Sequence, residues 1–89
     1  MKEVICIQED NHGLVGIAKD YKSAIDFLMR EEWLDGNREL IDENGNDTTV
    51  RERFGLQWGK VIRQWDNVDK FNNEFEGMFY LMVMEVEGW

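Results

Sequence analysis

Met78-Phe79-Tyr80-Leu81-Met82-Val83-Met84 is an unbroken apolar run in a chain of 89 residues whose formal net charge is -9. A strand with one face in water alternates apolar and polar residues, because successive side chains point to opposite faces. This run does not alternate, so both of its faces need cover. In a chain this short, some of that cover is expected from a partner. The run is also too apolar for an exposed edge, and it is expected to return beside the N-terminal strands.

Working outward, Lys2 to Gln8 reads as a strand, with β-branched Val4, Ile5 and Ile7 close together. Glu9-Asp10-Asn11-His12-Gly13 is turn chemistry, and Leu14 to Ala18 is a second short strand, so the N-terminus reads as a β-hairpin. All these strands carry apolar residues at both parities. Either helices cover both sheet faces or one face is left for another chain.

Asp20 is placed to cap a helix in which Tyr21, Ala24, Ile25 and Leu28 share one face at i, i+3, i+4, i+7. That helix is expected to reach Trp33-Leu34 and to stop at Asp35-Gly36-Asn37. From Arg38 to Asp47 the pattern is lost, and Asn44-Gly45-Asn46 reads as the tip of a polar loop. Thr49 and Glu52 form a capping box. Beyond it Val50, Phe54, Trp58, Val61, Ile62 and Trp65 hold one helical phase, interrupted by Gly55. One helix over Val50–Trp65 and two short helices meeting at Gly55 are both compatible with this pattern. A last short helix carries Val68, Phe71 and Phe75. The order ββαα(α)β predicts an α+β fold: a three-stranded antiparallel sheet, made of the N-terminal hairpin and the C-terminal strand, packed by two to four helices.

Length predicts one domain over residues 1–89. With 43% hydrophobic residues and four tryptophans, the chain can fill a core without disulfides or metal. The single cysteine, Cys6, lies between Ile5 and Ile7 and reads as a small buried hydrophobe. Met1-Lys2-Glu3 does not open a signal peptide, and no apolar run approaches the roughly 20 residues of a membrane span. These features predict a soluble cytoplasmic protein with no membrane contact.

The charge is unevenly distributed. Residues 31–47 carry Glu31, Glu32, Asp35, Glu39, Asp42, Glu43 and Asp47 against Arg38, whereas residues 48–65 carry Arg51, Arg53, Lys60 and Arg63 against Glu52. A field of the overall sign repels nucleic acid and anionic membranes.

Candidate chemistry is sparse. An EF-hand begun at Asp42 needs glycine at its sixth position and glutamate at its twelfth; Asp47 and Arg53 stand there. His12 is the sole histidine, so metal-ligand spacing is absent. Ser23 is the sole serine and fits the first turn after the Asp20 cap. No glycine-rich loop opens a helix after a strand. No catalytic, cofactor-binding or metal-binding residue is assigned, no cofactor is expected, and the chain does not read as an enzyme.

Three surfaces remain. The acidic residues of 31–47 are one, with Glu31, Glu32, Asp35, Glu39, Asp42, Glu43 and Asp47 as candidate partner contacts. Met78, Tyr80, Met82 and Met84 form a candidate apolar interface. Arg53, Lys60 and Arg63, interleaved with Gln57 and Gln64, form a candidate basic helix face, although the acidic remainder disfavours direct nucleic-acid binding. Gly55 and Gly59 lie on one flank of that helix and permit close approach of a neighbour, either the chain's own sheet or a partner.

Trp33-Leu34, Phe54-Gly55 with Trp58, Ile62 and Trp65, then Phe71-Asn72, Phe75-Glu76-Gly77 and Phe79-Tyr80-Leu81 make up a further pattern. In these residues the second half of the chain resembles a diffuse group of small hypothetical proteins from Gram-positive bacteria and their phages. The resemblance implies a shared fold and carries over no functional residue. By type alone, small acidic phage proteins without catalytic motifs resemble the class that includes CRISPR–Cas inhibitors and other anti-defence proteins. The expectation that follows is an acidic protein-binding module, phage-encoded, that inhibits a nucleic-acid-binding host protein by presenting carboxylates in place of phosphates. The alternatives are a self-associating accessory protein with a sheet-mediated homodimer interface, and a weak nucleic-acid binder using the basic helix face.

Overall fold

The computed structural model describes residues 2–87. Strands β1 (Lys2–Glu9) and β2 (Gly13–Ala18) form the N-terminal hairpin, and β5 (Phe79–Val86) pairs antiparallel with the other side of β1. The sheet order is β2-β1-β5, so the fold is α+β with a three-stranded antiparallel sheet, as the sequence predicts. Between β2 and β5 run α1 (Tyr21–Arg30), the small hairpin β3 (Glu39–Ile41) and β4 (Asp47–Thr49), then α2 (Val50–Phe54), α3 (Trp58–Trp65) and α4 (Val68–Glu74).

Local signals set the helix starts. The Asp20 carboxylate accepts from the Ser23 amide at 2.8 Å, Thr49 Oγ1 accepts from the Glu52 amide at 3.2 Å, and Asn67 Oδ1 accepts from the Lys70 amide at 2.9 Å. Each cap satisfies one of the first-turn donors that a helix leaves unpaired. In the Thr49 box the Glu52 carboxylate takes the threonine hydroxyl rather than the backbone amide.

Helices α1 and α4 pack on one face of the sheet, with α3 against both of them and α2 against α3 and β4. Ile5 and Ile7 of β1 and Phe79 and Leu81 of β5 meet Ala24, Ile25 and Leu28 of α1, Ile62 of α3, and Phe71 and Phe75 of α4. The Phe71 and Phe75 rings lie 4.7 Å apart and both contact Phe79, at 6.3 and 6.0 Å. Buried Tyr21 donates to the Ile62 carbonyl at 2.6 Å, which ties α1 to α3.

Three expectations need correction. First, α1 stops at Arg30, short of Trp33-Leu34, because Glu32 turns into the left-handed region at φ 61. Second, the acidic stretch after it is a two-stranded hairpin whose tip is Asn44-Gly45-Asn46, so the order is ββαββαααβ. The Asp42 carboxylate accepts from the Asn44 and Asn46 amides, both at 2.9 Å, and holds that turn. Third, β5 begins at Phe79 and is an edge strand, despite its lack of alternation. Of the two readings left open for Val50–Trp65, the structure has the two short helices, α2 and α3, on either side of Gly55. Gly55, at φ 91 and ψ -179, occupies a backbone region open essentially to glycine alone. Gly59 meets Met29 of α1 rather than the sheet.

Candidate functional site

Antiparallel partners point to the same face, so the register identifies what the uncovered face displays. On it stand Val4, Cys6 and Gln8 of β1, Tyr80, Met82 and Met84 of β5, and Leu14 and Ile17 of β2. A register shift between Ile7 and Gln8 sends Leu14 and Ile17 to this same face although they are three residues apart. Strict alternation would have separated them. Gly16 falls on the helix side, where the Phe27 ring covers it closely.

This outer face is apolar and open. Ile17 is 59% exposed, Tyr80 49% and Met84 44%. Apart from Gln8 in mid-face and Lys2 at one end, the residues of this face are hydrophobic and none is a carboxylate; Val4, in the central strand, is buried, and the rest are partly or largely exposed. Cys6 lies here, half-buried, with its thiol donating to Met84 Sδ at 3.4 Å, and is therefore not part of the helix-side core.

Of the predicted apolar interface, Tyr80, Met82 and Met84 come together on this face. Met78 does not: it lies in the turn before β5 and packs, half-buried, against the core. Leu14 and Ile17 were missed as members. The signal was present in their β-branched and aliphatic character, but their facing depends on the bulge.

The acidic residues divide into two groups. Glu39, Asp42, Glu43 and Asp47 share the β3–β4 hairpin, while Glu31, Glu32 and Asp35 lie in the turn that follows α1. Several are engaged locally. Asp42 holds the hairpin tip, Asp35 accepts from the Asn37 amide at 2.7 Å, and Glu31 stands 3.6 Å from Arg30.

The basic face is dispersed. Arg53 belongs to α2 and pairs with Glu74 of α4 at 2.9 Å, while Arg63 of α3 pairs with Asp26 of α1 at 2.8 Å. Lys60 is exposed near Lys22, Arg63 and Gln64. The break at Gly55 takes Arg53 out of helical phase with the other two.

One buried carboxylate stands out. Glu9, almost fully enclosed, accepts from His12 Nδ1 at 2.8 Å and from the Asn11 amide at 2.8 Å, with Arg38 3.8 Å away. The hydrogen bond from His12, helped by Asn11 and Arg38, holds its carboxyl below the usual range against the opposing effect of burial. His12 also packs edge-on against Trp33 at 4.9 Å, and Arg38 stacks over Phe79. The cluster fastens the hairpin turn to the segment after α1. Among the described residues, no group of three His, Cys, Asp or Glu side chains is placed to hold a metal ion, and no helix is long and apolar enough to cross a membrane.

Comparisons of the chain with protein-family models, with curated proteins and with solved structures give no match.

Proposed function

We propose that this chain is a non-enzymatic protein-binding module that docks through the outer face of its sheet onto a basic protein surface with an apolar centre. The observation that carries the reading is the contrast between that face and the rest of the molecule. A chain of net charge -9 displays a contiguous hydrophobic sheet face with no carboxylate on it. Contiguous apolar surface on a monomer marks interaction sites. The acidic remainder favours a basic partner, and the carboxylates of the β3–β4 hairpin accelerate the encounter. Nucleic-acid-binding proteins present basic surfaces of this kind. On such a partner the module would act as an inhibitor, by competing with nucleic acid.

The test is affinity capture from a bacterial lysate with matched baits. The wild-type chain is expected to retain a basic protein that the Leu14→Gln/Ile17→Gln variant loses. Both substitutions are polar, add no charge and lie on the exposed face. Neutralising Glu39, Glu43 and Asp47 to Gln, Gln and Asn is expected to slow association several-fold and to reduce its dependence on salt. Equal capture by wild type and the Leu14/Ile17 variant, or capture only of acidic proteins, would refute the reading.

A further inference from the structure

β5 is an edge strand, yet part of its edge is already closed. The Asn72 side chain donates to the Leu81 carbonyl at 2.9 Å and accepts from the Leu81 amide at 2.8 Å, as a neighbouring strand would. Leu81 therefore directs its backbone groups away from β1. In an antiparallel ladder the direction alternates, so Val83 and Glu85 also direct theirs outward. Among the described residues, no hydrogen bond reaches the outward groups of Val83 or Glu85. The edge is closed at Leu81 and open from Met82 to Val86.

We infer that this open segment pairs with the same segment of a second copy, antiparallel, with a two-fold axis through Met84. The register follows by elimination. An axis through Met82 or Val83 would set a residue of the partner's β5, Val83 or Glu85, against Leu81, which Asn72 occupies, whereas an axis at Met84 brings only Glu87 there, beyond the end of β5 at Val86. An axis through Glu85 would place two glutamates directly opposite, and one through Val86 would oppose Glu85 and Glu87. Both are like-charge pairs across strands, which are unfavourable. With the axis at Met84, Val83 stands opposite the partner's Glu85 and exchanges two backbone hydrogen bonds with it, and symmetry doubles these. On the outer face Met84 meets the partner's Met84, and Met82 meets the partner's Val86. The apolar outer row then runs across the junction without a charge, which fits a second copy of this chain better than an arbitrary strand. The product is one six-stranded sheet whose exposed hydrophobic face is twice as wide. Five residues a side make a small interface, so the dimer belongs to the weak, concentration-dependent class.

The inference holds whether or not the outer face binds another protein, and the two fail separately. In the Cys6→Ser background, Met84→Cys places two thiols at a non-hydrogen-bonded pair, where Cα atoms sit about 4.5 Å apart, within disulfide reach. Met82→Cys in the same background faces the partner's Val86 instead. Under mild oxidation at several hundred micromolar, the Met84→Cys protein is expected to form covalent dimers at least tenfold faster than the Met82→Cys protein. Sedimentation velocity of the unmodified chain is expected to show a dimer that grows with concentration. Glu85→Pro removes an outward amide, leaves the β1 ladder intact, and is expected to abolish the dimer while capture through Leu14 and Ile17 persists. A 10.6 kDa monomer at all concentrations up to about 1 mM, or equal cross-linking at the two positions, would overturn the inference.

Discussion

Asn72 brackets Leu81: one side-chain amide satisfies both backbone groups of a residue on the sheet's edge, at 2.8 and 2.9 Å. A side chain on α4 thereby does the work of a strand and fixes helix to sheet. Asn72→Ala leaves both groups of a buried residue without this partner. The variant is expected to lose about 1–3 kcal/mol in stability, measured by urea unfolding at unchanged m-value. Asn72→Asp keeps only an acceptor and is expected to recover little of that loss.

Gly55 offers a prediction whose sign discriminates between two architectures. Inside a continuous helix, Gly→Ala stabilises by about 1 kcal/mol. At φ 91 and ψ -179 an alanine is strained, although nothing lies within 4 Å of its Cβ. Gly55→Ala is therefore expected to destabilise by about 1–3 kcal/mol. Thermal or denaturant unfolding gives the answer directly, and a rise in stability would restore the single helix.

Acid sensitivity follows from Glu9. Its folded carboxyl titrates below the usual range, chiefly because of the hydrogen bond from His12. A depressed carboxylate contributes stability that is complete above the unfolded value of about 4.3 and disappears as pH falls through the lower folded value. Stability is expected to decline below about pH 4, and Glu9→Gln should flatten that limb while lowering stability at neutral pH. The measurement is the unfolding free energy from about pH 2.5 to about pH 7, a range set around that carboxylate titration. An identical acid limb in wild type and variant would remove Glu9 from the account.

Adjacent residues on β5 separate the two faces of the sheet. Leu81 is 1% exposed among the phenylalanines, whereas Met82 is 36% exposed on the outer face. Leu81→Gln buries an unpaired amide and opens a void, and is expected to cost about 3 kcal/mol or more. Met82→Gln is expected to change stability by no more than about 0.5 kcal/mol. Comparable losses at both positions would mean that the outer face is covered within the monomer.

Much of this fold was legible in local pattern. Asp20, Thr49 and Asn67 begin helices because a short oxygen-bearing side chain can satisfy first-turn amides wherever it occurs. Tyr21, Ala24, Ile25 and Leu28 face the core because helical spacing alone places them together. The non-alternating run at Phe79–Met84 correctly announced a strand with apolar residues on both faces. What that run could not reveal was its position at an edge. Edge or centre depends on which strands meet, and Asn72 and β1 come to β5 only through the tertiary fold. The same holds for the pairing of β3 with β4, where three-residue strands carry too little periodicity to register. It holds also for Ile17, whose face was decided by one extra residue in a bulge. Composition and spacing determined which segments are helix or strand and which residues are apolar. Register, a long-range property of paired backbones, decided which of those apolar residues remain in water.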